Sequence, residues 1–273
     1  MSENRAIENT TTNTNTEGSG TGEGARVALV TGANRGIGLE TARLLGGEGM
    51  TVLVGARDAG RGAEAERTLR EEGLDAHAVS LDVTDPVSVK EAARRVEDEF
   101  GRLDVLVNNA GAAFGLGGSP STADPERFRD LLEVNTLSVV RVTNAFLPLV
   151  RRSDAGRVVN VSSEVGSIGV LTDPDGPYSG LTGSPGYPVS KTAVNMLTAL
   201  YAKELAGTPV KVNAANPGYC ATDLNGHSGS RTAEQGARVS LHLATLPEDG
   251  PTGVLWGHLA SEEDPERYGV LPW

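Results

Sequence analysis

The sequence predicts a single α/β domain built on a doubly wound parallel sheet of about seven strands. Short apolar runs alternate with amphipathic stretches, which is the pattern of successive strand–helix–strand units. A glycine-rich turn at 31–38 follows the first apolar run directly, and turns rich in Asn, Gly, Pro or Ser end several later runs. Because crossovers are right-handed, these turns should meet at the carboxyl ends of the strands, where doubly wound sheets bind ligands.

The first half of the chain supplies alternating strands and helices. The first helix ends on two glycines, and the third begins at Pro86, because proline is tolerated in a first helical turn. The predicted elements are strand 27–30, helix 38–47, strand 51–54, helix 60–72, strand 76–81, helix 86–100 and strand 103–107.

The second half contains one long helix and an irregular insertion at 165–186 that is rich in Gly and Pro. Thr232 and Gln235 form a capping box that predicts the start of a last helix. The other predicted elements are helix 125–150, strand 157–161, helix 189–205, strand 210–215 and a seventh strand at 253–256.

Residues 1–24 are predicted to be a disordered tail, and 25–273 the folded domain. The tail is mostly Asn, Thr, Glu, Ser and Gly, so it cannot bury enough apolar surface to offset its ordering entropy. It lacks the apolar centre of a secretory signal, and no later stretch approaches the roughly 20 apolar residues of a membrane span. We therefore expect a cytoplasmic protein with no membrane partner.

Composition excludes several classes of function. The formal net charge of −12 argues against a nucleic-acid partner, because phosphate backbones require a basic surface. Cys220 is the only cysteine, so there is no intrachain disulfide, although its thiol could be a nucleophile. The histidines are scattered without the spacing of metal ligands, and no metal is expected; they are His77, His227, His242 and His258.

Tyr187 and Lys191 lie four residues apart, after a Ser162–Ser163 pair that ends an apolar run. A phenol has a pKa of about 10, and an ammonium group one helical turn away favours the phenolate and makes the proton mobile. Pro188 disfavours helical torsions at Tyr187, which is therefore expected at the helix start, with Lys191 in the first turn. The alternative is a packed aromatic ring and a solvated lysine.

The first turn spaces its glycines as G-x-x-x-G-x-G. Gly32 permits a tight turn, Gly36 lets the backbone approach a pyrophosphate, and Gly38 lets the helix pack close to the sheet. The N–H groups at the helix start would then face negative charge. An ordinary turn is the alternative, but its position between strand and helix favours a dinucleotide site.

Several motifs follow one another along the chain: TGANRGIG at 31–38, Asp82-Val83, NNAG at 108–111, Asn135, Ser163, YxxxK at 187–191 and PG at 217–218. Through this ordered set the chain resembles the classical short-chain dehydrogenase/reductases from about 26 to about 257. Within that family it is most similar to monomeric NADPH-dependent carbonyl reductases, through LVGARD at 53–58, LDVLVNNAG at 103–111 and RVVNVSS at 157–163. The resemblance implies a Rossmann-type fold.

The resemblance also implies a set of cofactor contacts. Asp82 would bond the adenine amino group beside the Val83 N–H, unless it merely caps the next helix. Asn109 and Gly111 would line the nicotinamide riboside, unless they form a plain turn. The full implied set is Gly32, Asn34, Arg35, Gly36, Ile37, Gly38, Arg57, Asp82, Val83, Asn109, Ala110, Gly111, Tyr187, Lys191, Pro217, Gly218, Cys220 and Thr222.

The catalytic residues implied by the resemblance are Asn135, Ser163, Tyr187 and Lys191. Tyr187 would protonate the developing alkoxide, with Ser163 bonded to the same oxygen. Lys191 would bind the ribose hydroxyls and lower the pKa of Tyr187. Asn135 would hold a helix distortion and a water of the proton relay, and Ser162 would be a backbone-bonding neighbour of Ser163.

The end of the second strand predicts NADPH rather than NADH. NAD-selective relatives place there an acid that binds the ribose hydroxyls, but here the position is Ala56, followed by Arg57. Arg57 and Arg35 would give the 2′-phosphate of NADPH/NADP+ forked hydrogen bonds. Alternatively, Asp58 turns back to the ribose, although it is better placed to cap the next helix.

We expect an enzyme that reduces a small-molecule ketone, aldehyde or quinone with NADPH. Its substrate site should consist of loops 112–124, 164–186 and 219–231, the last acting as a lid. An isomerisation or cyclisation in the same pocket, or a non-catalytic NADP-binding regulator, is the alternative. The insertion is shorter than in monomeric carbonyl reductases, where it covers the pairing face, so the oligomeric state is open, with a lean to a monomer.

Overall fold

The computed structural model describes residues 24–113, 118–181, 183–259 and 266–273. The predicted tail lies outside the described residues except for Gly24. An eight-stranded sheet runs in the order β3-β2-β1-β4-β5-β6-β7-β8, parallel except for the antiparallel β7–β8 pair. The strands are β1 (Val27–Thr31), β2 (Thr51–Ala56), β3 (Ala76–Ser80), β4 (Val105–Asn108), β5 (Arg157–Val161), β6 (Lys211–Asn216), β7 (Leu255–His258) and β8 (Tyr268–Leu271).

Helices cover both faces of the sheet, which confirms the doubly wound α/β prediction. One apolar core joins α3, α5 and α7 to one face, and a second joins α1, α2 and α8 to the other. Among the described residues, no helix is both long and apolar enough to span a membrane. The helices are α1 (Gly36–Gly47), α2 (Ala59–Glu71), α3 (Pro86–Phe100), α4 (Pro125–Leu132), α5 (Ser138–Val150), α6 (Ile168–Thr172), α7 (Gly186–Glu204) and α8 (Ala233–Ala244).

The strand order determines where on the sheet the site lies. β1 lies between β2 and β4, so the chain reverses its direction across the sheet after β3. A crevice opens at such a reversal, outside the carboxyl ends of the central strands. The glycine turn after β1 and the NNAG turn after β4 are therefore neighbours, as the sequence predicts.

Four elements differ from the prediction. The helix expected at 125–150 is interrupted by a π-helical turn at Glu133–Leu137, between α4 and α5. The insertion contains the short helix α6, and α7 begins at Gly186 rather than at 189. The edge strand β8 was not predicted, because four residues at the chain end give too short a pattern to identify a strand.

Candidate active site

The glycine turn forms a backbone cradle that larger side chains would fill. Gly32 and Gly36 have φ of +64° and +55°, in the left-handed region that favours glycine. A Cβ atom on Gly38 would lie 2.4 Å from Asn109 Nδ2 and 2.5 Å from the Gly32 carbonyl oxygen. Helix α1 begins within this turn, at Gly36, so its first N–H groups border the cradle. These features fit a bound phosphate group.

Thr31 joins the glycine turn to the NNAG turn. Its hydroxyl accepts hydrogen bonds from the backbone N–H groups of Asn109 (3.0 Å) and Ala110 (2.9 Å). The Asn109 amide returns a bond to the Thr31 carbonyl at 2.9 Å. Sequence reasoning assigned no role to Thr31, although its position at the end of β1 was a usable signal. The two turns form one hydrogen-bonded unit.

The end of β2 exposes one arginine. Ala56 is the last strand residue, and the exposed Arg57 follows it. Asp58 accepts a hydrogen bond from the Arg61 N–H at 2.9 Å and caps α2, which supports the capping interpretation over a contact to a ribose. Arg35 instead pairs with Asp223 at 2.7 Å, a contact that the sequence did not indicate. Of the two predicted phosphate ligands, Arg35 is therefore already paired with a carboxylate, whereas Arg57 is exposed at the strand end.

Asp82 shapes the turn after β3. Its Oδ1 accepts bonds from the Thr84 N–H (2.9 Å) and hydroxyl (2.7 Å). Helix α3 is capped by Asp85, so the alternative in which Asp82 caps that helix is wrong. The Val83 carbonyl accepts a bond from Arg141 at 2.8 Å, which fixes this turn against α5.

The segment after β6 reaches the opposite side of the cradle. Gly218 has a φ of +74°, as a sharp turn after Pro217 requires. The Thr222 methyl carbon would be 3.5 Å from a Cβ on Gly36. Gly236 packs close to Pro217 and Ile37, and a Cβ there would be 3.2 and 3.4 Å from their side chains. The predicted contacts at 217–222 therefore border the cradle, whereas Asn34 lies partly buried within the loop.

Cys220 is buried at this turn. Burial raises the pKa of its thiol to about 11, although the nearby Arg231 acts in the opposite direction. The sulfur is therefore a protonated thiol at neutral pH, which is a poor nucleophile. This argues against the nucleophile interpretation and leaves Cys220 as a packing residue beside the cradle.

The four predicted catalytic residues come together. Ser163, at the end of β5, forms a side-chain hydrogen bond with Tyr187 in the first turn of α7. Lys191 lies in the second turn rather than the first, with Nζ 5.6 Å from the centroid of the Tyr187 ring. That Nζ donates a hydrogen bond to the Val161 carbonyl at 2.8 Å. A titratable phenol, a hydroxyl and a buried ammonium group thus occupy one site.

The pKa shifts differ from the expectation that Lys191 would favour the phenolate. Burial raises the pKa of Tyr187 to about 12, and its hydrogen bond with Ser163 opposes the shift. Burial also lowers the pKa of Lys191 to about 8. Both charged forms are desolvated, and the ammonium group bonds a backbone carbonyl instead of the phenol. Tyr187 is therefore a neutral phenol near pH 7, the form that can donate a proton.

Asn135 lies in the π-helical turn and is buried. Its Oδ1 accepts a hydrogen bond from the Ala112 N–H (2.8 Å), and its Nδ2 donates to the Ala112 carbonyl (2.9 Å) and to Ser190 Oγ (3.0 Å). A Cβ on Gly111 would lie 3.4 Å from Asn135 Oδ1 and 3.8 Å from Lys191 Nζ. The implied helix distortion at Asn135 is confirmed, and it ties the NNAG turn to α7.

Buried polar residues on the central strands support this cluster. Asn108 donates to Asn160 Oδ1 at 2.8 Å, and Asn160 donates to Thr198 on α7 at 2.9 Å. Ser162 donates to the Lys191 carbonyl at 3.3 Å, in agreement with its predicted backbone-bonding role. Asn216 accepts the Glu164 N–H at 3.1 Å. Sequence reasoning missed Asn160, a polar residue inside the apolar strand β5, and Asn216, the last residue of β6.

Two of the three predicted substrate loops contact each other, and the third folds back on itself. The Ser184 N–H bonds the Gly118 carbonyl at 3.1 Å, so the insertion contacts loop 112–124, of which 114–117 lie outside the described residues. Loop 219–231 closes on itself through a β-bridge between Cys220 and Arg231. Helix α6 meets the chain end, where the Gly169 N–H bonds the Trp273 carbonyl at 3.4 Å.

Comparison with known proteins identifies relatives that are described as dehydrogenases and reductases. The sequence profile described as short chain dehydrogenase matches residues 26–233. Carbonyl reductase [NADPH] 1 of Macaca fascicularis is 34% identical over 274 residues, with 84% of this chain and 95% of that protein covered. (+)-Neomenthol dehydrogenase of Capsicum annuum is 31% identical over 300 residues, covering 85% and 95%.

A solved structure of NADPH-bound carbonyl reductase from chicken fatty liver superposes with a TM-score of 0.77 at 25% identity, covering 91% of this chain and 99% of that one. A gluconate 5-dehydrogenase from Burkholderia cenocepacia in complex with NADP and tartrate gives 0.74 at 26% identity, covering 85% and 92%. The profile, the relatives and the site geometry agree. The chain belongs to the classical short-chain dehydrogenase/reductase family of oxidoreductases, with carbonyl reductases among its relatives.

Proposed function

We propose that this protein reduces a ketone, aldehyde or quinone to an alcohol with NADPH. The observation that carries the proposal is the Ser163–Tyr187–Lys191 cluster beside the glycine cradle. When bound, the dihydronicotinamide supplies the hydride. Tyr187 donates its proton to the carbonyl oxygen, and Ser163 bonds the same oxygen. Asn135 keeps the π-helical turn in place behind Lys191.

The cradle residues fit a dinucleotide. The turn at Gly32–Gly38 would hold the pyrophosphate, Asp82 and Val83 the adenine, and Asn109 to Gly111 the nicotinamide riboside. Lys191 would bind the ribose hydroxyls near Tyr187. NADP-bound structures among the relatives favour the phosphorylated cofactor.

Arg57→Ala should raise the KM for NADPH by about an order of magnitude and barely change the KM for NADH. A hydrogen bond to a charged group contributes roughly 1.5–3 kcal/mol, which corresponds to about 10- to 150-fold in affinity. Steady-state kinetics with both cofactors measure the effect. Arg67→Ala is the matched control, because Arg67 is also exposed, on α2. Equal or better kcat/KM with NADH in the wild-type protein would overturn the NADPH assignment.

The alternatives are separated by one assay. NADPH consumption is measured with a panel of ketones, aldehydes and quinones. An isomerase or cyclase would convert substrate without consuming NADPH, and a regulator would bind NADPH without any turnover. The presence of both Tyr187 and Lys191 favours the reductase over a regulator, which could lose either.

The monomer expectation stays a prediction. Met196 and Leu200 on α7 are 61% and 54% exposed, and Val189 on the same helix is also exposed. A second copy of the chain could cover these exposed apolar side chains, which would favour a dimer over a monomer. Light scattering of the purified protein distinguishes the two states.

A further inference from the structure

A buried carboxylate lies directly after the catalytic serine and has no role in the proposed mechanism. Glu164 is 4% exposed. Its short turn packs on α7, where a Cβ on Gly166 would lie 2.7 Å from the Lys191 carbonyl carbon. The Glu164 side chain accepts a hydrogen bond from the Tyr178 phenol at 2.5 Å. The pair therefore joins the substrate insertion to the catalytic cluster.

Tyr178 also lies within electrostatic reach of the catalytic phenol. Burial raises the pKa of Tyr178, and the charges of Glu164 and of ionised Tyr187 raise it further. Tyr178 is only partly buried, and it belongs to the insertion that ends at α7. One polar pair thus stands beside Tyr187 on the wall that we assign to the substrate.

The donor and acceptor roles of Tyr178 and Glu164 restrict which ligand groups this pair can recognise. A tyrosine has one hydroxyl proton, and that proton is given to Glu164. An ionised carboxylate has no proton to give. The partly exposed Tyr178 oxygen therefore offers only lone pairs to a ligand, and the buried Glu164 carboxylate behind it adds negative charge. A matching ligand group must be a hydrogen-bond donor, because a second acceptor would be repelled.

We propose that Glu164 and Tyr178 select carbonyl substrates that carry a hydrogen-bond donor, a hydroxyl or an ammonium group, near the carbonyl. The inference rests on the proposed reductase function and deepens it. A site built to hydrogen-bond a substrate group discriminates against analogues that lack it, because its own polar groups are then left unpaired. Both residues act as specificity determinants, whereas Tyr187 and Ser163 act on the carbonyl oxygen.

The test uses hydroxyketones whose hydroxyl lies one to three carbons from the carbonyl, each paired with its O-methyl ether. In the wild-type protein, kcat/KM for at least one hydroxyketone should exceed that for its ether about 10-fold, the upper end of the effect of one hydrogen bond between neutral groups. Tyr178→Phe should bring this ratio close to one and leave the ether unchanged within about twofold. Tyr201→Phe is the matched control, because Tyr201 also donates its phenolic proton, to Asn144 at 2.8 Å, and lies outside the three predicted substrate loops.

A second variant distinguishes substrates that carry a hydroxyl donor from substrates that carry an ammonium donor. In Glu164→Gln, the amide oxygen still accepts a hydrogen bond from Tyr178, but the negative charge is lost. This variant should therefore lose the preference for an aminoketone over its N-acetyl derivative. It should keep most of the preference for a hydroxyketone over its O-methyl ether. Equal loss of kcat/KM for both members of each pair in Tyr178→Phe would mean a merely structural role and overturn the inference. Wild-type ratios near one for every pair would do the same.

Binding separates this inference from the proposed function. Calorimetry with NADP+ present measures the affinity of the diol products and of their monomethyl ethers. Turnover of all ketones without discrimination, and equal binding of diol and ether, would leave the reductase function standing and remove the inference. No ketone turnover, together with tighter binding of the diol that depends on Tyr178, would remove the reductase function and leave the recognition site.

Discussion

Tyr187→Phe is expected to lower kcat for ketone reduction by about 10²-fold or more and to leave NADPH affinity within a few-fold. General acid catalysis by a positioned group typically contributes 10²–10⁴-fold. The substitution deletes the hydroxyl that bonds Ser163 and keeps the ring that faces Lys191. Steady-state turnover and a fluorescence titration with NADPH measure the two effects.

The control for this variant is Tyr201→Phe. Tyr201 lies on the same helix, is buried, and donates its phenolic proton to Asn144 at 2.8 Å. It should keep near wild-type turnover, because that bond is remote from the Ser163–Lys191 cluster along α7. If Tyr187→Phe retains more than about a tenth of the wild-type rate, Tyr187 is not the general acid.

The layout of the site could be read from the sequence because it depends on strand ends. Apolar runs identify buried strands, and a parallel doubly wound sheet brings their carboxyl ends to one edge. The glycine turn, the NNAG turn and Ser163 are each within a few residues of such an end, so their convergence follows from topology. The capping box at Thr232 was also predictable, because both of its bonds are local and appear at 3.1 and 2.8 Å.

The contacts that the sequence did not predict are long-range. The pairing of Arg35 with Asp223 joins residues 188 positions apart, and the bond from Lys191 to the Val161 carbonyl spans 30. The π-helical turn depends on Asn135 bonding to Ala112 and to Ser190, and no local pattern encodes either partner. The sign of the Tyr187 pKa shift was missed for the same reason, since burial is a property of the assembled site.

Lys191 is the residue at which function and stability are expected to conflict. It is 5% exposed, and burial lowers its pKa from 10.5 to about 8. Since one pKa unit corresponds to about 1.4 kcal/mol, holding this ammonium group costs the folded state on the order of 3 kcal/mol. Between pH 8 and 10.5 the unfolded chain binds the additional proton, so stability rises with pH in that window. Below about pH 8 the full cost is present.

Lys191→Met should therefore raise the melting temperature at pH 7 while lowering turnover about 10²-fold or more, a loss comparable to that from removing a single electrostatic stabiliser in other enzymes. Methionine fills a similar volume without a charge, but the Val161 carbonyl loses its partner, so we expect a net gain of about 2–4 °C. The gain should disappear near pH 11, where the wild-type lysine is neutral in both states. Lys203→Met is the control, because Lys203 is exposed on the same helix. A lower melting temperature than wild type at pH 7 would show that the bond to Val161 outweighs the burial of charge.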